Sequence, residues 1–474
     1  MKDTKSRKLA GRVTYARYYP PAPTAWSAAW ACTTWTPAPY VHRDSMAPYG
    51  SVGITADALF DLFSTARSAP ANTYYADAAK ADDTGNGLTA GTAKKSIHAC
   101  VTLGNASGAP FKVIVAAGSY PRANNISNGN SVFPTQDCFF VASAGRVVTG
   151  TWDDFANLTA DATYTNTYSV ATSNINRVVD RLASDRYGNM LDLMNVSSPA
   201  ICNRTPNSWH YDGTKLYINR ADGVLVTNAN TRYYRSSTGN AKITANINIG
   251  FSVADASSMW AFEGGNTSAC LNYSAPSLAS SFKIVLANKC TFQYAGGVND
   301  TGAAGVKIDN LHGVAAFFEC EADANYSDGF NIHRSSVTGA KSHMVTVNCT
   351  AYDNGRAPST SNNGWTSHED CVGLDVAGIY RNNRGGTFRS INTTLSWFVN
   401  PIVRDDQGDL TQGGAQWPAA WVANDTAKYW IDSPVYDMPA TGMVYNASAT
   451  ATIYYRNAPP PRSTLTGAGT VTTY

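Results

Sequence analysis

An internal repeat of 27 to 30 residues in the third quarter of the chain limits the folds that this sequence can adopt. Three segments within residues 282–391 end in cysteine, at Cys290, Cys320 and Cys349, so the first two intervals are 30 and 29 residues. A fourth segment has Val376 in the corresponding place, 27 residues further on. Repeats of this length are typical of solenoids, in which each unit buries its apolar face only against its neighbours.

Each repeat contains short apolar runs with the periodicity of strands. Val345, Val347 and Cys349 alternate with polar residues, and Gly, Asn and Asp separate the runs. A period of two predicts strands rather than helices. Short strands in coils of roughly 25 to 30 residues resemble the right-handed parallel β-helix. The expected fold class is therefore all-β, a right-handed single-stranded parallel β-helix with a short N-terminal arm and helix and with inward-facing cysteines. A β-sandwich with coincidental spacing is the alternative.

The composition argues against several classes of protein. The chain has 474 residues and a net charge of +2, so we expect neither nucleic-acid binding nor attraction to an acidic membrane. No apolar run reaches the length of about 18 residues that a membrane span needs, which predicts no membrane insertion. The basic start lacks a following apolar stretch, so no cleaved secretion signal is expected. The nine cysteines are spread singly without a C-x-x-C pair, which predicts buried thiols, no metal site and no cofactor.

Residues 1–71 differ from the rest and form the first predicted domain. Prolines and aromatic residues crowd residues 18–40, which disfavours regular helix and central strand. So many aromatics on one short segment need a covering surface. That surface is either a partner, such as another subunit or a larger particle, or the flank of the β-helix itself. Thr55 as N-cap, with Leu59, Phe60 and Phe63 on one face, predicts a neck helix at residues 55–63.

Residues 72–474 are the second predicted domain, the β-helix body, with less regular coils from about residue 396. Gly87-Leu88-Thr89 ends an Asp- and Gly-rich loop, a helix is expected at residues 96–103, and residues 113–120 read as a first coil strand. This order is similar to the first coil of many β-helix proteins, where the helix covers the open end of the solenoid. Residues 209–218 predict a hairpin on Asp212-Gly213, as an excursion from a coil.

Four short segments align as consecutive strands of one ladder and gather the polar residues. They are Val306-Lys307-Ile308-Asp309, Phe330-Asn331-Ile332-His333, Trp365-Thr366-Ser367-His368 and Phe388-Arg389-Ser390-Ile391. The first and third columns are expected to face inward and the second and fourth outward. The fourth column then stacks Asp309, His333 and His368 on successive coils, about 4.8 Å apart. The insert at residues 356–363 is expected to overhang this column.

Such a column suits acid–base chemistry on a sugar. Histidines beside carboxylates serve as general acid or base, and a cation can neutralise the carboxylate of a uronic acid. Asp309 and Glu369 would lie roughly 9 to 10 Å apart, near the upper end of the spacing for inverting hydrolysis. The candidate catalytic residues are His333, His368, Asp309 and Glu369, and the candidate substrate-binding residues are Lys307, Arg389, Asp328, Asp370, Trp365 and Tyr326. The alternatives are a structural polar ladder and, for Trp365, a place in the core.

Two pieces of this region carry a further resemblance. Asp328-Gly329-Phe330 with His333, and Asn363-Gly364-Trp365 with His368 and Glu369, resemble the G-F-x-x-H motif of alginate epimerases and related β-helix enzymes. Those enzymes have an acid two residues before the histidine, where this chain has Asn331 and Thr366.

The whole body resembles the pectate-lyase-like β-helix superfamily, and together with the arm and neck it resembles a bacteriophage tailspike. The resemblance implies a homotrimeric virion protein, made in the host cytoplasm, that attaches to other tail proteins through its N-terminal arm. It would bind, and degrade by hydrolysis or elimination, a polysaccharide of the host cell surface. One alternative is a tail fibre or spike that binds the glycan without cutting it. The other is a bacterial polysaccharide lyase or epimerase.

Overall fold

The structure of the protein is a computed structural model. It describes residues 22–30, 72–155, 158–236, 239–265, 269–276, 281–298, 302–335, 337, 339–356, 362–404, 419–437, 443–457 and 468–474. The predicted neck helix at residues 55–63 lies outside the described residues. Among the described residues, no helix combines the length and the apolar character needed to cross a bilayer.

The body is a right-handed parallel β-helix, which confirms the predicted fold class. Its wall consists of three ladders of parallel strands, here called sheets 1, 2 and 3. Sheet 1 has eight strands: Ala241–Ile243, Ala269–Ser274, Ala304–Asp309, Phe330–Ile332, Trp365–Ser367, Phe388–Ser390, Ala419–Ala423 and Met443–Ala447. Each pairs in parallel with the strand one coil further along the chain.

Sheets 2 and 3 share two long strands, Phe111–Tyr120 and Cys138–Gly150, which run through both. Sheet 2 also contains Thr73–Ala76, Ile249–Val253, Lys283–Asn288, Gly313–Phe318, Ser342–Val347, Val372–Val376, Leu395–Val399, Lys428–Asp432, Thr452–Arg456 and Thr470–Thr473. Sheet 3 continues with Met259–Glu263, Cys290–Gln293, Glu321–Asp323, Thr350–Tyr352, Ile379–Arg381, Ile402–Arg404 and Val435–Asp437.

A single left-handed residue forms the corner between sheets 2 and 3. In successive coils it is Lys289, Glu319, Asn348, Ala377, Asn400 and Ser433, with φ between 48° and 56°. The corner breaks the alternation of side chains, so Val345 faces outward while Cys349 faces the lumen. The strand register shows that Val376 is not equivalent to Cys349, contrary to the prediction from the repeat. Val376 pairs with Val347, and the residue at the place of Cys349 is Gly378.

The lumen is filled by apolar side chains, thiols and one ladder of amides. Cys290, Cys320 and Cys349 lie in the core, and all eight cysteines in the described part of the chain are buried thiols, as expected. Asn325, Asn354 and Asn383 are buried at the corner after sheet 3 in three successive coils. The Nδ2–H of Asn325 donates a hydrogen bond of 2.9 Å to the Oδ1 of Asn354, and Asn354 donates in the same way to Asn383. The ladder satisfies amide groups that burial would otherwise penalise.

The helix Ile97–Ala106 covers the open end of the solenoid, as predicted. Ile97, Cys100 and Val101 are fully buried in the main core, which also contains Phe111 of the first full strand. The helix therefore shields an apolar end that would otherwise contact water.

The outer face of sheet 2 is also apolar, and residues 22–30 cover part of it. The short helix Thr24–Ala29 places Trp26 and Trp30 against a cluster of outward side chains that includes Leu374 and Trp397. The Trp26 Nε1–H donates to the Gly373 carbonyl at 2.8 Å. These two tryptophans therefore pack on the chain's own flank, which is the second of the two alternatives given for the aromatic segment.

Residues 151–236 form an insertion between sheet 3 and sheet 1, with its own apolar core. It contains the helix Pro199–Arg204 and the strands Thr159–Ala160, Tyr168–Ala171, Ile175–Ser184, Met190–Asp192, Met194–Asn195, Ser208–Tyr211, Lys215–Asn219 and Thr231–Arg235, and a 3₁₀ turn, Asn128–Asn130, precedes it. Ser208–Tyr211 and Lys215–Asn219 pair antiparallel around the Asp212-Gly213 turn, so the hairpin prediction is confirmed.

A buried ionic cluster joins the insertion to the coils. The Arg177 guanidinium, 2% exposed, donates to both carboxylate oxygens of Asp192, at 2.5 and 2.8 Å. Its Nη1–H also donates 2.7 Å to the carbonyl of Ala324, on a coil 147 residues further along the chain. Arg356 contacts Asp192 and Asp353 from the coil side. The insertion is therefore fixed against the corner after sheet 3.

Asp375 is a buried carboxyl in sheet 2, and it makes the stability of the fold depend on pH. Thr346 Oγ1–H and Tyr380 O–H donate to its Oδ1 at 2.6 and 2.7 Å, yet burial raises its pKa to about 6. Because the folded pKa exceeds the unfolded one, its contribution is complete below the unfolded value and is lost as pH rises through about 6.

We expect Asp375→Asn to be more stable than the wild type at pH 8, by about 1 to 3 kcal/mol, because the amide stays uncharged. At pH 4 the difference should nearly vanish. Urea unfolding at both pH values measures this. A variant that is less stable than the wild type at pH 8 would contradict the role assigned to Asp375 burial.

Candidate active site

The four aligned segments form the predicted ladder in sheet 1. Val306, Phe330, Trp365 and Phe388 pair in register, and all four are fully buried. The third column, Ile308, Ile332, Ser367 and Ser390, is buried as well. The fourth column follows at the strand ends, where His333 and His368 donate their backbone N–H groups to the carbonyls of Ile308 and Ile332. The side chains of this column lie half-exposed on the outside.

His333, His368 and Glu369 come together at the centre of this column. The two imidazole rings stack with centroids 4.1 Å apart and planes 9° from parallel. The Nδ1 of His333 lies 3.5 Å from Oε2 of Glu369. Glu369 has a left-handed backbone (φ 55°), because the chain turns sharply after the strand Trp365–Ser367. The turn brings the carboxylate back over the histidine of the preceding coil.

The charge states of this group suit proton transfer at neutral pH. Burial, followed by the neighbouring His333 charge, lowers the pKa of His368 to about 4, so its imidazole is neutral. Burial opposes ionisation of Glu369, but hydrogen bonds from His333 and from the Arg334 N–H outweigh it and lower the pKa of the carboxyl. The Glu369 carboxylate thus faces His333, while His368 stays neutral and can accept a proton.

The other charged candidates surround this group. Lys307 Nζ lies 3.3 Å from Asp309 Oδ2, and both side chains remain about a quarter exposed. The Arg389 Nε–H donates to Asn424 at 3.3 Å, and Arg389 acts electrostatically on His368. Asp370 has one buried oxygen, Oδ1, without a hydrogen-bond donor among the described residues. Lys307 and Arg389 therefore both act on His368 as positive charges.

Asp328 lies beneath the ladder and not on its surface. It is fully buried and accepts hydrogen bonds from the Asn363 N–H, the Asn363 side chain and the Asn331 side chain, at 2.7 to 3.1 Å. Burial raises its pKa despite these donors. The prediction that Asp328 contacts substrate is wrong in this structure, because the amides that hold the turn enclose it.

Trp365 and Tyr326 are also not available for stacking on a sugar at the column. Trp365 is fully buried in the lumen, where a Cβ added at Gly373 would meet its ring at 2.4 Å. Of the two alternatives given for Trp365, the place in the core is therefore the correct one. Tyr326 lies under the insertion, with the Arg177 guanidinium 5.4 Å from its ring centroid. In the segment 356–363, which was expected to overhang the column, residues 357–361 lie outside the described residues. Arg356 at its start contacts Asp192, which belongs to the insertion of residues 151–236.

The three central residues also form a group that could hold a metal ion. His333, His368 and Glu369 each offer one ligand atom, and these atoms lie within 4.8 Å of one another. Two imidazoles and a carboxylate are ligands that transition metals accept. The aligned coils predicted that these three residues meet, but the absence of a C-x-x-C pair predicted no metal site.

No family model matches the chain, and no curated protein matches it. Among solved structures, a glycoside hydrolase has a TM-score of 0.49 and 8% identity, over 85% of this chain and 96% of that chain. The complex of XylC with xylose has a TM-score of 0.35 and 9% identity, over 84% and 86%. The tailspike protein gp49 from Pseudomonas phage LKA1 has a TM-score of 0.26 and 10% identity, over 79% and 71%. The fold is therefore assigned from the strand register of this chain itself.

Proposed function

We propose that the protein degrades an acidic polysaccharide on the outer face of sheet 1. The observation that carries this proposal is the convergence of His333, His368 and Glu369 on a half-exposed surface. Lys307 and Arg389 add positive charge beside the same group. A base next to cations is the arrangement that proton abstraction beside a carboxylate requires.

The reaction that fits these groups best is elimination at a uronic acid. His368, neutral at pH 7, takes the proton on the carbon next to the sugar carboxylate. The electron pair left on carbon forms the double bond as the bond to the glycosidic oxygen breaks. His333, doubly protonated with its Nδ1–H facing Glu369, gives the proton on Nε2 to the departing oxygen and is left neutral. Lys307 or Arg389 pairs with the carboxylate while the negative charge develops.

Hydrolysis is the second version of this proposal. It needs two carboxyl groups on opposite sides of the bond, and Asp309 and Glu369 occupy the same surface on alternate coils. Each is engaged in this structure, Asp309 by Lys307 and Glu369 by His333. Elimination needs neither Asp309 nor Glu369 as a free carboxylate, and for that reason it stands first.

The test is to incubate the full chain with polyuronates and with bacterial surface polysaccharides. Ultraviolet absorbance of unsaturated uronates and new reducing ends are followed together. We expect both signals to rise, and the His333→Ala, His368→Ala double variant to lose about 10²- to 10⁴-fold in rate. His210→Ala, on the insertion, is the matched control and should keep full activity.

Each other outcome has a defined meaning. Reducing ends without ultraviolet absorbance would replace elimination by hydrolysis. Loss of activity with a chelator, and recovery with Zn²⁺, would assign the histidines to a metal. Full activity of the double variant would exclude this surface as the active site.

A glycan-binding spike without catalysis is the second candidate function. The parallel stacking of His333 and His368 is the observation that favours it, because structural polar ladders have the same geometry. A spike would bind the polysaccharide without shortening it, and the double variant would change stability more than binding.

Placement on a phage tail and a homotrimeric state belong to the same proposal. They rest on the resemblance of the sequence to tailspikes and on the arm at residues 1–71. Light scattering of the purified protein is expected to give three times the 50.6 kDa of one chain. A single chain in solution would contradict the trimer.

A further inference from the structure

A cavity of about 580 Å³ lies where the insertion leaves the first coils. Its lining includes Lys95 and Arg122 from the coil side, and Asp153, Phe155, Tyr233 and Arg235 from the insertion. Pockets of roughly 300 to 1,000 Å³ hold small ligands. The cavity is separate in sequence from the histidine column, so it does not belong to the proposed active site.

The apolar part of the lining is an aromatic pair. The rings of Phe155 and Tyr233 stack with centroids 5.1 Å apart and planes 19° from parallel. Tyr233 is buried and supports Phe155, which is only half-buried and keeps part of its surface at the cavity. An aromatic ring at the wall of a polar pocket suits the apolar face of a sugar ring.

The polar part of the lining is positively charged and preorganised. Asp153 accepts the Nε–H of Arg122 at 2.7 Å through one carboxylate oxygen, and the Nε–H of Arg235 through the other. One carboxylate cannot neutralise both guanidinium groups, and Lys95 adds a third cation to the lining. Asp154, the other acid of the lining, is exposed.

Arg122 is the group best placed to receive an anion. Its Nε is engaged by Asp153, which fixes the plane of the guanidinium, and its side chain is 31% exposed. Within the described part of the chain, its two Nη atoms donate no hydrogen bond. A guanidinium with two parallel N–H groups available binds a carboxylate in a bidentate manner.

We propose that this cavity binds a carboxylated sugar, with Arg122 holding the carboxylate and Phe155 lying against the ring. The insertion would thus retain an acidic polysaccharide at a place away from the point of cleavage. The choice of an acidic glycan is shared with the proposed function, but the binding site does not depend on the histidines.

The experiment measures binding by isothermal titration calorimetry with the full chain. The probes are trimers of galacturonate, glucuronate and mannuronate, with maltotriose as the neutral control. At least one uronate trimer should bind, more weakly at high salt, and maltotriose should bind at least tenfold more weakly. The free methyl uronosides, tested next, show whether one unit is enough or whether the polymer context is needed. Either result supports the site.

Variants decide whether the cavity is responsible. Arg122→Gln is expected to weaken uronate binding at least tenfold, and Arg122→Lys should fall between it and the wild type. Phe155→Ala should also weaken binding, whereas Arg204→Gln, on the outside of the insertion, should not. Each titration is repeated in the His333→Ala, His368→Ala background, where the proposed acid and base are absent and the trimers are not consumed. The weakening by Arg122→Gln should be the same there, so failure of the proposed catalysis would leave this result intact. Absence of binding to all three trimers, or an Arg122→Gln variant that binds as tightly as the wild type, would overturn the proposal.

Discussion

Replacing Trp26 by alanine is expected to weaken the attachment of residues 22–30 to the β-helix by about 3 to 5 kcal/mol. Trp26 is 2% exposed, and its indole contacts Trp30 and Trp397, each at a centroid distance of 5.0 Å. The variant also loses the hydrogen bond from Nε1–H to the Gly373 carbonyl. Removing a large aromatic from a packed contact costs the transfer of its surface and leaves a cavity.

Amide hydrogen exchange, followed by mass spectrometry, measures this change locally. At about 1.4 kcal/mol per factor of ten, exchange in residues 24–30 should accelerate by roughly 100-fold or more. Trp26→Phe is the control that keeps a ring but not the indole N–H, and it should give a smaller acceleration. An alanine variant whose exchange matches the wild type would show that the tryptophan does not hold residues 22–30 on the β-helix.

Replacing Arg177 by methionine is expected to destabilise the joint between insertion and coils by about 3 kcal/mol, because it leaves a carboxylate in a largely enclosed cluster. Burial opposes ionisation of Asp192, and the charges of Arg177 and Arg356 outweigh it and lower the pKa of this carboxyl. With Arg177 absent, Asp192 keeps Arg356 alone, and the Ala324 carbonyl loses its donor.

Urea unfolding, monitored by tryptophan fluorescence, measures the loss, since Trp209 lies in the core of the insertion. The double variant Arg177→Met, Asp192→Asn removes the unpaired charge and should recover part of the stability. Arg177→Lys keeps the charge but loses the two-pronged contact and should fall between. If Arg177→Met were as stable as the wild type, the insertion would have to be held by other contacts.

The repeat in the sequence was sufficient to predict the fold and the register of sheet 1. Val306, Phe330, Trp365 and Phe388 pair as aligned, because strand alternation and turn residues together fix which residues are equivalent. The histidine column followed from that register. It was predictable because it depends only on local spacing repeated from coil to coil.

The faces of sheet 2 were not predictable in the same way. Val345 and Leu374 look like core residues, yet they face outward and lie in the cluster that contains Trp26 and Trp30. The cause is the left-handed corner, where Asn348 and Ala377 occupy equivalent places without a shared residue type. The segment that covers these side chains, residues 22–30, lies more than 300 residues earlier in the chain. A contact over such a distance cannot be predicted from the local sequence pattern.

The surroundings of the site depended on distant parts of the chain for the same reason. Arg356 was expected to lie over the histidine column. It instead forms an ion pair with Asp192, which lies 164 residues earlier in the chain. Asp328 and Trp365 have polar or aromatic side chains that suit a sugar site, but neighbouring coils enclose both. Burial of this kind is set by how coils stack, which a single strand pattern does not contain.

The connections between the sheets differ in how much chain they accept. Sheets 2 and 3 are joined by one residue, Lys289, in its coil, and by two residues in each later described coil in which strands of both sheets occur. The connection from sheet 3 to sheet 1 has 5 residues between Asp437 and Met443, 14 between Arg404 and Ala419, and 90 between Gly150 and Ala241. Additions at this edge leave the strand pairing of the wall unchanged. Evolution can therefore lengthen, shorten or replace the chain along this one edge while the stacked wall that carries it stays the same.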